Sequence, residues 1–92
     1  MLKPSYSTQF KKDFKKLAKS GRHDIEKLKI VASLLINEQP LPIRNRDHAL
    51  SGNFKERREC HIEPDWLLIY KIDHNSGEII FERTGSHSEL FE

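Results

Sequence analysis

Cysteine is nearly absent: Cys60 stands alone among 92 residues. An intramolecular disulfide is therefore excluded, and with it any mark of an oxidising compartment. No apolar run approaches a membrane span, and the first residues lack the apolar stretch of a signal peptide. The expectation is a cytoplasmic protein with no membrane partner. Hydrophobic residues make up only 36% of the chain, so any core must be small. A chain this short is expected to form one domain over residues 1–92, with no room for a second. Internal repeats and low-complexity segments are missing. So are the strong ligand spacings C-x-x-C and H-E-x-x-H, so neither a metal nor a cofactor is expected.

Charge, by contrast, is plentiful, at 33% of residues with a net of only +2. Both signs are present, which argues against disorder. They are unevenly placed. Residues 1–37 hold nine Lys/Arg against three Asp/Glu, and residues 38–92 hold seven against eleven. The first part is thus suited to a polyanion or an acidic partner chain, although a solvated lysine-rich face would have the same composition.

Residues 2–6 are short and carry Pro4, which suits an edge strand. Ser7 can cap a helix whose apolar stripe is Phe10, Phe14, Leu17 and Ala18. Lys11, Lys12, Lys15, Lys16 and Lys19 fill the rest of its surface, and Gly21 stops it. A second helix buries Ile25, Leu28, Ala32, Leu35 and Ile36 and fades at Asn37. The short turn between the two implies an antiparallel helical hairpin. Residues 38–53 form a long connection with Pro40 and Pro42, and loops of that length in small domains are commonly functional. Three strands follow, at about 54–62, 66–72 and 78–84, the last two joined by Asn75-Ser76-Gly77. Ser86 and Glu89 stand at capping-box spacing before a last helical turn through Phe91. The fold class is therefore α+β, a helical hairpin packed on one face of a small antiparallel sheet whose other face is open. That open face should carry Lys55, Arg57 and His61.

Five histidines are many for a chain of this length. Three stand beside other reactive groups: His48 after Asp47, His61 ahead of Asp65, and His87 after Arg83. Histidine can both take and give a proton near neutrality, and cleavage of a phosphodiester by its own 2′-OH needs both transfers and a cation for the developing charge. Histidines, an arginine and a carboxylate suffice for this without a metal. His61, Glu63, Asp65 and His87 could in principle gather a divalent ion, but their spacing is weak evidence. His23 and His74 fall in turns and read as exposed bystanders, Cys60 as a small core residue, and Trp66 as a packing residue. Strict alternation groups Arg83 with core-facing Ile79 and Phe81; it reaches the open face only if the strand twists or bulges.

The runs Asp47-His48-x-Leu50-x-Gly52, Arg58-Glu59-Cys60-His61-Ile62-x-Pro64-Asp65-Trp66-Leu67-Leu68-Ile69-Tyr70 and Glu82-Arg83-Thr84-Gly85-Ser86-His87-Ser88-x-Leu90-Phe91 resemble the YafQ-type toxins of the RelE/ParE superfamily over essentially the whole chain. Phe54 stands where a larger aromatic is expected in relatives. The resemblance implies a RelE-like, microbial-ribonuclease-like fold. It also implies the toxin of a type II toxin–antitoxin system, a metal-independent endoribonuclease (mRNA interferase) that cleaves mRNA in the ribosomal A site and inhibits translation. The implied partners are a cognate antitoxin, the ribosome and mRNA, with operator DNA met only through the antitoxin complex. Carried over residue by residue, the catalytic positions fall on His48, His61, Asp65 and His87. Arg83 and Phe91 would bind substrate, joined by Lys55 and Arg57 from the open face, and the five lysines of the first helix would grip ribosomal RNA. Two other classes stay open at this point: a non-catalytic, ParE-like inhibitor, since that branch shares the fold, and an inactive regulatory partner of an antitoxin.

Overall fold

The computed structural model describes residues 1–52 and 56–91. Its elements run β1 (Lys3–Tyr6), α1 (Thr8–Ser20), α2 (Ile25–Ile36), a 3-10 turn (Ile43–Asn45), β2 (His48–Ala49), β3 (Arg58–Glu63), β4 (Trp66–Asp73), β5 (Glu78–Gly85) and α3 (His87–Phe91). The helix boundaries follow from local chemistry. Ser7 Oγ accepts the Phe10 amide at 2.9 Å to cap α1, and Gly21 ends it with a left-handed φ of 66°. Asp24 caps α2 through the Glu26 amide at 3.0 Å.

The five strands form one sheet in the order β1-β5-β4-β3-β2. The expectation of a purely antiparallel sheet needs correction, because β1 lies parallel to β5 with Lys3 opposite Glu78. A parallel partner needs a long crossover, and α1 and α2 with the strands after them supply it. The long connection is not irregular throughout: His48 and Ala49 form β2 and pair with Glu59 and Arg58. The strand expected over 54–62 runs from Arg58 to Glu63; Phe54 and Lys55 lie outside the described residues.

The main core lies between the helices and the sheet. Leu17, Leu28, Val31 and Leu35 meet Cys60, Trp66, Leu68, Tyr70, Ile79 and Phe81. The opposite face is not wholly open. Leu67 and Ile69 of β4 pack there against Leu90 of α3, with Leu50 beside them. A central strand that is apolar at nearly every position requires cover on both sides, and the short α3 provides it on the second. That placement carries α3, with His87 and Phe91, to the sheet face that bears His61.

Candidate functional site

Glu59 and His61 are alternate residues of β3 and so share one face, and His48 of β2 lies directly opposite Glu59. The Glu59 carboxylate is the hinge of the site. Its Oε2 lies 3.1 Å from His48 Nε2 and 3.6 Å from His61 Nε2. The two imidazoles are 6.4 Å apart, centre to centre. Glu59 is only 4% exposed, and its Oε1 is buried without a hydrogen-bond partner. Backbone carbonyls hold the far side of each ring: Arg46 O lies 2.6 Å from His48 Nδ1, and Pro64 O lies 3.1 Å from His61 Nδ1. Each ring therefore faces acceptors at both nitrogens.

The string continues through the β3–β4 turn. Asp65 Oδ1 accepts the His87 amide at 3.0 Å and so ties this turn to α3. One turn along α3, the Phe91 ring lies 5.3 Å from that of His87. Ser86 and Glu89 close the expected capping box, with 2.9 Å from the Ser86 amide to Glu89 and 3.2 Å from the Glu89 amide to Ser86 Oγ. The Ser86 amide and Lys16 hold the Glu89 carboxyl well below its ordinary range, at about 2. Gly85 is needed here: a Cβ at its φ of 156° would come within 3.2 Å of Glu89 Oε1.

The loop bearing His48 is pinned at several points. Asn45 is buried and donates Nδ2–H to His61 O at 2.6 Å. Asp47 accepts from Arg58 at 3.1 Å and from the Tyr70 hydroxyl. Burial first, then Asp47, pushes the Tyr70 hydroxyl upward, and Asp47 raises the Arg58 guanidinium. These groups fix the frame and leave the His48 ring half exposed, while that of His61 is largely covered. Cys60 is fully buried and desolvation pushes its thiol up to about 12, which fits a packing residue and not a nucleophile.

Among the expected site residues, His48 and His61 meet at Glu59, and Asp65, His87 and Phe91 meet at α3. Arg57 pairs with Glu82 across β4. Arg83 behaves differently. A register shift between Ile69 and Tyr70 leaves Glu82 unpaired and puts Arg83 opposite Ile69 of the functional face, so the strand does bulge. The guanidinium, however, is held by Asp13 of α1. Lys11, Lys12, Lys15, Lys16 and Lys19 are all exposed along α1. Lys55 lies outside the described residues. His74 is exposed as expected, whereas His23 is no bystander: it packs on Trp66 at 4.6 Å, and its Nδ1 lies 3.6 Å from Glu63. Sequence reasoning overlooked Glu59. Its signal was present as an acid two residues from His61, on the strand face that a one-sided sheet leaves polar.

Among the described residues, no three His, Cys, Asp or Glu groups are placed to hold a metal ion. His48 and His61 both turn Nε2 toward the same glutamate oxygen. No helix among the described residues is long and apolar enough to cross a membrane.

Fold and site together define a small α+β protein with a histidine–carboxylate string laid over one sheet face. The family described as the bacterial toxin of type II toxin-antitoxin system, YafQ, matches residues 2–92, and the chain belongs to it. The mRNA interferase toxin YafQ of Escherichia coli is 48% identical over 87 residues, covering 94% of this chain and 91% of that one. The crystal structure of a metal-bound toxin from Helicobacter pylori superposes with a TM-score of 0.93 at 45% identity, covering 99% of this chain and 100% of the other. The toxin chain of the E. coli DinJ–YafQ complex does so with a TM-score of 0.88 at 45% identity, over all of both chains.

Proposed function

We propose that the protein is a ribosome-dependent endoribonuclease that cleaves mRNA in the A site and so halts translation. The observation that carries this reading is the pair of imidazoles held by one buried carboxylate, with a third histidine on the adjoining helix. Internal attack by a 2′-OH needs one group to take its proton and another to protonate the leaving 5′-oxygen. His48, His61 and His87 supply both from one face. Asp65 holds α3 in place, and Phe91 beside His87 offers a surface on which a base can stack. Arg83 and Arg57 supply positive charge to the substrate backbone. The chain's own residues complete this chemistry, so the reaction is metal-independent on this reading.

Lys11, Lys12, Lys15, Lys16 and Lys19 would grip ribosomal RNA through its phosphates. The DinJ–YafQ complex of E. coli supports a cognate antitoxin as partner here too. An apolar groove of about 370 Å³ runs between the helices and is lined by Tyr6, Phe10, Phe14 and Phe81, with Lys11 and Lys29 beside them. Its chemistry suits an acidic amphipathic segment of that antitoxin.

The test is a reconstituted translation reaction with purified protein, with cleavage positions read by primer extension. The expected result is cleavage within the A-site codon only when ribosomes are present, leaving a 2′,3′-cyclic phosphate or its hydrolysis product. Intact mRNA on stalled or translating ribosomes would overturn the reading in favour of a non-catalytic inhibitor.

A further inference from the structure

Helix α1 carries a single acid, Asp13, among five lysines. An acid on a helix that meets RNA phosphates works against binding, so its presence needs another cause. Asp13 turns inward and its side chain is only 12% exposed. Oδ2 accepts Arg83 Nε–H at 2.8 Å and the Thr84 amide at 3.2 Å; Oδ1 accepts a second guanidinium N–H at 3.3 Å and Gln9 Nε2–H at 3.2 Å. The Arg83 contact is the two-pronged fork that fixes a guanidinium in direction as well as place.

The frame behind that fork is rigid. Thr84 is buried, accepts Trp66 Nε1–H at 3.0 Å and donates to Leu67 O at 2.8 Å. The same helix reaches the segment again one turn later, where Lys16 lies 3.0 Å from Glu89 of α3. A guanidinium has five N–H donors, so three remain after the fork. Arg83 borders a groove of about 270 Å³ that Lys12, Lys16 and Glu89 also line.

We propose that Asp13 is a positioning residue for the cleavage, setting Arg83 in the orientation from which it meets the substrate phosphate. The inference rests on the reading of Arg83 as a phosphate contact. Asp13 touches no substrate and acts through the arginine alone. A purely structural Asp13 would tie α1 to β5 without any link to the rate of the bound complex.

Single-turnover cleavage on programmed ribosomes, measured against toxin concentration, tests this. Asp13→Ala should lower the saturated rate by about 10- to 100-fold, the usual consequence of a misplaced reacting group. The half-saturating concentration should stay within about twofold of the parent. Asp13→Asn keeps the side chain's shape and one acceptor, so it should fall between; it also serves if the alanine variant does not fold. Asp13→Ala combined with Arg83→Ala should be no slower than Arg83→Ala alone. The Arg83 Nε–H resonance should shift and exchange faster in Asp13→Asn while β4 amides keep their protection. Multiplying defects in the double variant, a change confined to half-saturation, or a folded Asp13→Ala that cleaves like the parent would each overturn the proposal. Loss of cleavage in the parent would instead overturn the proposed function.

Discussion

Glu89 offers a test of how the helix carrying His87 is held. Its Oε1 accepts the Ser86 amide at 2.9 Å, and Oε2 lies 3.0 Å from Lys16 Nζ. The amide first and the lysine second depress its pKa to about 2 from an ordinary 4.5. Taken at face value the difference amounts to about 3 kcal/mol of folded-state stability. The side chain is 39% exposed, so solvent screening reduces the expectation to about 1 kcal/mol. Because the folded pKa is the lower one, this stability is fully present above the ordinary carboxylate range. It is lost as pH falls from about 4.5 toward 2. Glu89→Gln keeps an acceptor for the Ser86 amide and removes only the charge. Urea unfolding at pH 7 should therefore find the variant less stable by about 1 kcal/mol, and the gap should narrow at pH 3.5. Glu63 and Asp73 are depressed in the same direction, so the parent itself weakens in acid; the difference between the two proteins isolates Glu89. A gap as large at pH 3.5 as at pH 7, or none at pH 7, would refute the assignment.

His87→Ala should slow single-turnover cleavage by roughly 10²- to 10⁴-fold as a lost acid or base, while His74→Ala, in an exposed turn, should leave it unchanged. Glu59→Gln should cost at least about 10-fold by releasing both imidazoles from their shared oxygen, with the His48 ring signals broadening in the NMR spectrum. Cleavage should survive excess chelator in an assay whose ribosomes stay intact; activity restored only by added zinc or copper would refute the metal-free reading. Phe14→Glu should weaken antitoxin binding by about 10-fold or more in calorimetry, since it places a charge in the apolar groove.

The helical half was legible because its signals are local. Ser7 and Asp24 act through bonds to residues three and two positions away, Gly21 acts through its own left-handed backbone, and the stripe of Phe10, Phe14 and Leu17 repeats at helical period. The capping box at Ser86 and Glu89 is local in the same sense. What escaped depends on contacts distant in the chain. The parallel pairing of β1 with β5 joins residues more than seventy positions apart, and no turn residue announces it. The second small core under α3 lies on the face expected to be open, and its cover comes from Leu90 and Leu50, each an isolated leucine in its own segment. His23 sits in a turn as expected, but Trp66 and Glu63 are brought to it by the fold.

The site shows the same division and gives it a physical meaning. Individual histidines could be picked out from their neighbours in sequence, but their grouping could not. His48 reaches Glu59 because a two-residue strand inside a proline-bearing loop pairs with β3, and Asn45 and Asp47 then hold that strand down. His87 reaches the same face because Asp65 caps its amide and Leu90 anchors its helix on β4. Each histidine thus arrives on a separate segment, and in each case a neighbouring polar side chain fixes the backbone; the His48 ring stays half exposed, whereas that of His61 is largely covered. Such an arrangement leaves the backbone anchors independent of the ring contacts, which Glu59 and the Arg46 and Pro64 carbonyls make for His48 and His61. Arg83 is likewise held through its own guanidinium, by an acid from a helix that otherwise bears only positive charge. The grip that fixes its direction also ties the lysine-rich helix to β5, as Lys16 ties it to α3 through Glu89.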